Sequence, residues 1–318
     1  MKVYITGGYG QVGSTVAAMF LARGDSVFSI DNFATGRRDN LADHPNLTAI
    51  EGSIIDADLV DKTMEEFGPD VVIHTAASYK DPEDWYSDAL VNGVGTANIA
   101  KSAKKHGVKR FVYFQTALCY GLHPKEQPIT LNHPIEPDNC SYAISKTCGE
   151  NYVHLSGLDW VTFRLANVIG ERNVSGPLPI FYSRLSEGKK CFVTEARRDF
   201  CYAGDLAKVV VKASDGMGSG TYHFSSGKDV AIQELYDAVV NAMKLNDYPE
   251  PEVRPLGPDD AASILLDPSR LREDFGDVEI TPLADIAQVA VDRWSREGVV
   301  GGYTHLKDAR EEIRKEGQ

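Results

Sequence analysis

The residues Lys2-Val3-Tyr4-Ile5-Thr6 run directly into Gly7-Gly8-Tyr9-Gly10-Gln11-Val12-Gly13, and a helical hydrophobic period, VGSTVAAMFLARG, follows at once. A strand that turns into a helix through glycines at 7, 10 and 13 has few structural solutions. Glycine there permits the tight turn, lets backbone approach a pyrophosphate and lets the helix pack on the sheet. The helix N-terminus adds N–H donors and a positive dipole for an anion. Glycine-rich turns are common, so the context carries the argument: a strand precedes and a helix follows, as a phosphate-cradling loop requires.

The alternation continues through SVFSID, LTAIEG, DLVDKTMEEFG, DVVIHTAA, GTANIAKSAKKHG and RFVYFQ. β-branched runs alternating with helical periods mark an α/β fold with a parallel, doubly wound sheet. This is the Rossmann arrangement, in which strand ends form the ligand crevice. After a Pro-rich stretch from Pro124 to Pro137, the pattern predicts a helix over SYAISKTCGENYV and a strand over WVTFRLANV. Beyond Asn167 it becomes irregular, with Gly-Pro-Leu-Pro at 176–179, a helix near Phe181 to Leu185 and a short strand CFV. GDLAKVVVKAS and TYHFSS return to regular structure, a last helix is expected from Thr281, and a charged, frayed tail from Lys307. A chain of 318 residues is about twice the ~150-residue prior for one domain. The expected division is a dinucleotide-binding Rossmann domain over 1–165, with returning segments at about 199–226. A smaller, mixed α/β substrate-binding lobe takes 166–198 and 227–318.

A formal net charge of −13, from 33 Lys and Arg against 46 Asp and Glu, disfavours broad contact with nucleic acid or an anionic membrane. The five cysteines are an odd number without CxxC spacing, which points to reduced thiols in a cytoplasmic protein. The N-terminus enters a strand with no apolar signal core, and no stretch nears the ~18 apolar residues of a membrane span. No pair among His74, His123, His133, His154 and His223 has ligand spacing, so no metal site is expected. One segment runs against the overall charge. From Arg164 to Arg198 seven basic residues face three acidic ones, a local +4 that suggests a small anionic ligand.

SVFSID ends in Asp31, eighteen residues past Gly13. A carboxylate there would bond the adenosine ribose hydroxyls and repel a 2′-phosphate, which favours NAD over NADP; Arg37 and Arg38 downstream work against that preference. Tyr142 and Lys146 lie four apart on a predicted helix and so share a face. A neighbouring ammonium favours phenolate and would lower a Tyr pKa from ~10 toward general-base range. Tyr–x–x–x–Lys arises often by chance. Thr116, at the carboxyl end of RFVYFQT, supplies a third point where crevice residues sit.

The segments TGGYGQVG, Asp31-Asn32, VVIHTAA, VNGVGT, QTALCYG, SYAISK, FRLANVIG and RRDFCYAGD resemble, in order and at close to the spacing, the extended short-chain dehydrogenase/reductase family. Its nucleotide-sugar epimerases and dehydratases are the nearest in motif, and the resemblance covers almost the whole chain. It implies Thr116 as the catalytic Ser/Thr, Tyr142 as general base and Lys146 as the lysine that also grips the nicotinamide ribose. For NAD it implies contacts from Gly7, Gly10, Gln11, Val12, Asp31, Asn32, Ser53 and Ile54. Ala76 and Ala77 would pass beneath the cofactor, and Asn92 would be structural more than chemical. On the substrate side it implies Asn167 near the diphosphate-nucleotide portion, Arg198 on a phosphate, and Asp260. Lys80, Arg172 or Arg184 would meet a sugar carboxylate. It also implies a homodimer through a four-helix bundle formed by the helix holding Gly95 to Lys105 and the one holding Tyr142. Three departures stand out: CFVTEARRD is about three residues short, Ser53 replaces a common aspartate, and a late arginine has no clean counterpart, since Arg254 would need a gap.

The residues after Thr116 choose among reactions. The family's 4,6-dehydratases carry Asp-Glu where this chain has Ala117 and Leu118, and its uronate decarboxylases carry an acid at the second position. A side chain without an exchangeable proton cannot act as general acid or base. Family members that use a cysteine shuttle place it where Leu118 stands, and one residue along a strand reverses the face, so Cys119 reads as a small buried hydrophobe. The expectation is an NAD-dependent nucleotide-sugar epimerase acting at C4 of a UDP-hexose or UDP-hexuronic acid through a transient 4-keto sugar. QTALCYG with FRLANVIG looks closest to epimerases of bacterial O-antigen and capsule loci, hence a role in lipopolysaccharide or other surface polysaccharide synthesis. The alternatives are a dehydratase or an NAD(P)-dependent reductase of the same family. A non-catalytic NAD-sensing regulator would have no need of the Thr116, Tyr142 and Lys146 set.

Overall fold

Strands with apolar side chains on both faces need helices on both sides of the sheet. In the computed structural model, which describes residues 1–137, 140–257 and 260–298, six such strands succeed one another. They are β1 (Lys2–Thr6), β2 (Ser26–Asp31), β3 (Leu47–Glu51), β4 (Val71–His74), β5 (Arg110–Thr116) and β6 (Trp160–Leu165). With the strand Gly220–Phe224 they form a seven-stranded sheet in the order Gly220–Phe224, β6, β5, β4, β1, β2, β3. Every pairing is parallel. The chain winds one way from β1 to β3 and the other way from β4 onward, so the crevice opens at the carboxyl ends of β1 and β4. The tail expected from Lys307 lies outside the described residues.

The alternation of side chains along β1 divides the core. Val3 and Ile5 face helix α1 (Gln11–Arg23) and the helix Ala203–Ser214, packing with Val16, Phe20, Leu206 and Val210. Tyr4 faces α2 (Ala57–Phe67) and the helix Thr96–Lys105, with Val60, Met64, Ile99 and Ala103. This period of two is what a strand buried on both faces must show. The segment 199–226 returns to the sheet through the helix Ala203–Ser214 and the strand Gly220–Phe224.

A second core joins the helices Pro177–Ser186, Ile232–Met243 and Leu283–Glu297 through Leu178, Phe181, Leu235, Tyr236, Ile286 and Trp294. The middle helix is absent from the sequence reading. Its apolar residues at 232, 235, 236, 239, 240 and 243 have a plain helical period. The helix Ser269–Phe275 sends Leu271 and Phe275 into the core of the large sheet, so the stretch beyond 227 serves both parts. Short strand pairs carry the joining segments: Asn167–Ile169 with Phe200–Tyr202, and Arg197–Arg198 between Val230–Ala231 and Ser263–Ile264.

A buried ion pair ties the helix Ser141–Ser156 to the sheet. Glu150, 2% exposed, accepts Nε and Nη2 of Arg164 from β6, both at 3.2 Å. Arg164 Nη1 donates to Tyr120 Oη at 2.7 Å, and Tyr120 Oη meets His223 Nε2 at 2.6 Å. Gln115 donates to Glu150 at 3.3 Å and accepts the Thr116 N–H at 2.8 Å, so the network reaches the end of β5. Removing one partner leaves a desolvated charge, whereas removing both leaves an apolar gap. We expect Arg164→Met to lower the unfolding free energy by about 3–5 kcal/mol in urea titrations, and Glu150→Met with Arg164→Met together to recover most of that loss.

Candidate functional site

A cavity of about 1400 Å³ opens at the carboxyl ends of β1, β4, β5 and β6 and runs on between the two cores. A pocket for one drug-sized ligand takes about 300–1,000 Å³; this one has room for two. Its floor is made by glycine. A Cβ on Gly7, whose φ is 66°, would lie 2.8 Å from Ala76 Cα, and one on Gly13 would lie 2.2 Å from the Gly7 carbonyl oxygen. The loop can therefore touch the end of β4 only without side chains. Gly10 caps α1 without a side-chain bond, and the first turn holds no acidic residue, so the N-terminal amides around Gln11 and Val12 are left for an external anion.

Asp31 ends β2 beside this loop. Its Oδ2 accepts the Tyr9 N–H and its Oδ1 the Phe33 N–H, each at 2.8 Å. Burial pushes its pKa up, while the backbone amides of Phe33, Tyr9 and Gly10 pull it down. Arg37 is engaged by Asp39, and Arg38 bonds Glu51 at 2.6 Å while lying over the Phe33 ring. Both arginines that argued for a 2′-phosphate thus have acidic partners. Asn32, Ser53, Ile54, Ala76 and Ala77 also line the cavity.

The end of β4 is held from behind. The Ala76 N–H donates to Thr6 Oγ1 at 3.1 Å, Thr6 Oγ1 meets His74 Nδ1 at 2.6 Å, and His74 Nε2 meets Thr96 Oγ1 at 2.9 Å. Burial, with Lys146 adding to it, drives the His74 pKa well below its ordinary value, so this histidine is a neutral structural link. Asn92 is fully buried and stands behind the cavity wall, not on it. It accepts the Ser78 N–H at 2.8 Å and donates to the Ser78 carbonyl at 2.9 Å and to Ser145 Oγ at 3.0 Å.

Thr116, Tyr142 and Lys146 all line the cavity. Thr116 ends β5, and its Oγ1 accepts the Leu118 N–H at 3.2 Å, which caps the turn Ala117–Tyr120. Tyr142 is the second residue of the helix Ser141–Ser156 and Lys146 lies one turn further on. Burial pushes the Tyr142 phenol up, and Tyr79, Cys140 and Asp88 push it the same way. The expected lowering by Lys146 is not found. Burial brings Lys146 itself down to about 7, with Glu150 opposing, and its Nζ sits 4.2 Å from the centre of the Tyr113 ring. A lysine that is half neutral at pH 7 stabilises a phenolate weakly. Ala117 and Leu118 line the cavity with hydrocarbon, whereas Cys119 is buried away from it, its thiol pushed up to about 12 by burial.

Lys80, Asn167, Arg184, Arg198 and Asp260 line the same cavity. Arg198 is bound to Asp260 and donates to the Ala261 carbonyl at 2.7 Å. Arg172 does not join them. Its Nε and Nη1 are buried without hydrogen-bond partners, and its titratable neighbours are Glu171, Arg293, Tyr202 and Glu297, off the cavity wall. Arg254 also stays away, 4.2 Å over the Phe192 ring and bonded to Glu252. The +4 segment is largely neutralised in space: Glu150 takes Arg164, Asp229 takes Arg197 and Asp260 takes Arg198, all from outside the segment, and Glu187 takes Lys189. Charge counted along the chain misses partners brought in by folding. Ser78, Tyr79, Asp88, Phe192 and Thr194 line the cavity as well. Phe192 and Thr194 lie in CFVTEARRD, whereas Ser78, Tyr79 and Asp88 belong to no motif, and among these three only the place of Asp88, one helical turn before Asn92, could have marked it. Among the described residues there is no cluster of His, Cys, Asp and Glu able to hold a metal, and no helix is long and apolar enough to cross a membrane.

This geometry defines a dinucleotide site joined to a second ligand site with a Thr-Tyr-Lys set between them. Residues 3–223 match the model of the NAD dependent epimerase/dehydratase family. The chain belongs to that family, and NAD is its cofactor. Its fold superposes on the Bordetella bronchiseptica enzyme WbmH, solved in complex with NAD+, with a TM-score of 0.92 and 64% identity over 94% of this chain and 99% of that one. WbmG of the same organism, solved with NAD and UDP, gives 0.88 and 39%, covering 96% and 98%. UDP-glucose 4-epimerase of Mycolicibacterium smegmatis is 32% identical over 295 residues, 87% of this chain and 93% of that protein.

The depressed Lys146 carries a stability consequence. Between about 7 and its ordinary 10.5 the unfolded chain binds more protons than the folded one, so stability must rise with pH across that window. We expect cofactor-free protein to gain about 2 kcal/mol in urea unfolding between pH 7 and pH 9. Lys146→Met should flatten this slope and raise stability at pH 7.

Proposed function

We propose that this chain, an NAD-dependent epimerase by family, interconverts UDP-hexoses or UDP-hexuronic acids that differ at C4. The observation that carries this reading is that Thr116, Tyr142 and Lys146 line one cavity, large enough for two ligands, together with Ala117 and Leu118. No acid stands at those two positions to expel water from the sugar or to assist loss of carbon dioxide.

The glycine loop fits a pyrophosphate: amides of Gln11 and Val12 would hold it, Asp31 and Asn32 the adenosine ribose, and Ser53 with Ile54 the adenine. Ala76 and Ala77 would support the nicotinamide end. When bound, NAD supplies first a hydride acceptor and then a hydride donor at one sugar carbon. Tyr142 Oη would take the hydroxyl proton from that carbon and later return it. Thr116 Oγ1 would orient the hydroxyl, and Lys146 would steady Tyr142 while reaching the nicotinamide ribose. Between the two proton transfers the 4-keto sugar would turn over, so that its C4 oxygen returns to Tyr142 while the opposite face of C4 meets the nicotinamide. Asn167, Arg198 and Asp260 would hold the diphosphate nucleotide, which must break into the Arg198–Asp260 pair to reach the arginine. Lys80 or Arg184 would face a carboxylate on the sugar. The UDP bound by WbmG supports the choice of nucleotide.

The motifs QTALCYG and FRLANVIG support a role in making sugars for bacterial surface polysaccharide, with the reaction in the cytoplasm. A homodimer completes the reading. Ile144, Cys148, Tyr152 and Leu155 form an exposed apolar stripe at helical spacing on the Tyr142 helix. Val94 is exposed on the neighbouring segment. A second copy would cover this stripe. We expect Ile144→Glu with Leu155→Glu to halve the mass seen by light scattering; an unchanged mass would remove this interface.

The decisive measurement is isomer interconversion of UDP-sugars and UDP-uronates followed by NMR. Interconversion without net change in NADH absorbance is expected, and Tyr142→Phe should lower kcat by about 10²–10⁴. A dehydrated or decarboxylated product would overturn the reading.

A further inference from the structure

The helix that carries Tyr142 starts without the help most helices have. Its N-cap, Cys140, makes no side-chain capping bond, and its first turn holds no acidic residue. Unpaired amides and partial positive charge at a helix N-terminus favour a nearby carboxylate. That carboxylate comes from a different element. Asp88 closes the turn Trp85–Asp88, is 1% exposed, and neither of its carboxylate oxygens has a well-formed hydrogen bond. Burial raises its pKa, the hydroxyls of Ser141 and Ser78 lower it, and Asp84 and Asp81 raise it again. Ser141 is the first residue of the Tyr142 helix.

The surroundings repeat the same pairing. The run Ala89–Gly95 continues from Asp88 as a π-helix, a winding found often at functional sites. Within it Asn92 holds both backbone groups of Ser78 and donates to Ser145 Oγ, which donates to the Tyr142 carbonyl at 2.9 Å. Asp88 and Asn92, one turn apart, thus engage the same two partners: the Ser78 segment and the start of the Tyr142 helix. Tyr79 follows Ser78 and places its ring centre 6.3 Å from that of Tyr142.

We infer that Asp88 is a positioning residue: its carboxylate supplies the negative charge missing at the start of the Tyr142 helix and holds Tyr142 against the Ser78–Tyr79 wall. This rests on the reading of Tyr142 as the proton-transfer group. Facing Tyr142 are Tyr79, Cys140, Asp88 and the buried Tyr113, with Lys146 on its own helix. An ionised Asp88 opposes phenolate formation, so removing its charge must lower the Tyr142 pKa.

The test is the pH profile of Asp88→Asn, which keeps the shape and removes the charge, beside wild type and Asp88→Ala. The expected result is an acid limb of kcat/KM displaced downward by about 0.5–1 unit, a plateau kcat reduced about 3- to 10-fold, and a KM within about 2-fold. Should either Asp88 variant fail to fold, Ser141→Ala reads the same contact from the other side and should move the limb the same way by less. Active wild type with an unmoved limb in the variants, or with a raised KM as the sole change, would overturn the inference alone. Wild type inactive on every sugar nucleotide would overturn the functional reading and the inference with it.

Discussion

The structure depends on one close approach, that of the Gly7 backbone to the end of β4. A single added carbon at Gly7 would press on Ala76, and one at Gly13 would press on Gly7 itself. These contacts fix the distance between the carboxyl ends of the two strands at which the winding reverses, and so set the width of the crevice. The approach is then made rigid from behind, by the hydrogen-bonded series Ala76, Thr6, His74, Thr96 and Asn92. Each member is deeply buried or sits on the wall, so a shift at the loop would cost a buried hydrogen bond further along.

The same logic extends to the opposite side of the cavity. Thr116 is placed by β5, and its amide is tied through Gln115 to Glu150 on the helix that also carries Tyr142 and Lys146. Arg164 from β6 closes the circuit. Strand end and helix are thereby registered by a charge network instead of by apolar packing alone, a device that fixes geometry at some expense in stability. Lys146 lies buried on the same helix, where burial depresses its pKa to about 7 and Glu150 of the network opposes that shift.

Much of this was legible in the sequence, for reasons that can be named. The sheet was, because β-branched runs recur, most of them separated by helical periods, through residue 165 and local pattern dictates local structure there. Gly7, Gly10, Gly13, Asp31, Thr116, Tyr142 and Lys146 were, because each sits at a strand end or on one helix face, where spacing alone determines neighbourhood. The helix Ile232–Met243 has a readable period, but the irregular stretch before it hides where that period begins. The contacts of Arg164, Arg172, Arg197 and Arg198 were not legible. Their partners Glu150, Asp229 and Asp260 come from distant segments, and nothing local announces which way a long basic side chain will turn.

That difference explains why the reaction class is easier to argue than the substrate. Proton transfer needs a few groups on rigid elements, and the ends of β5 and of the Tyr142 helix are rigid. In the proposed reading nucleotide and sugar would be met by short strands and joining segments, Asn167–Ile169, Phe192–Thr194 and Arg197–Arg198, each held by a few hydrogen bonds to segments far along the chain. Arg198 is bound to Asp260 in this arrangement. A phosphate reaching Arg198 must compete with a carboxylate already in place, so its affinity is the difference between two charge-assisted contacts, not the full strength of one. In the proposed reading, discrimination among sugar nucleotides would then rest on how well each ligand replaces that pair, a property of the assembled wall and not of any residue read alone.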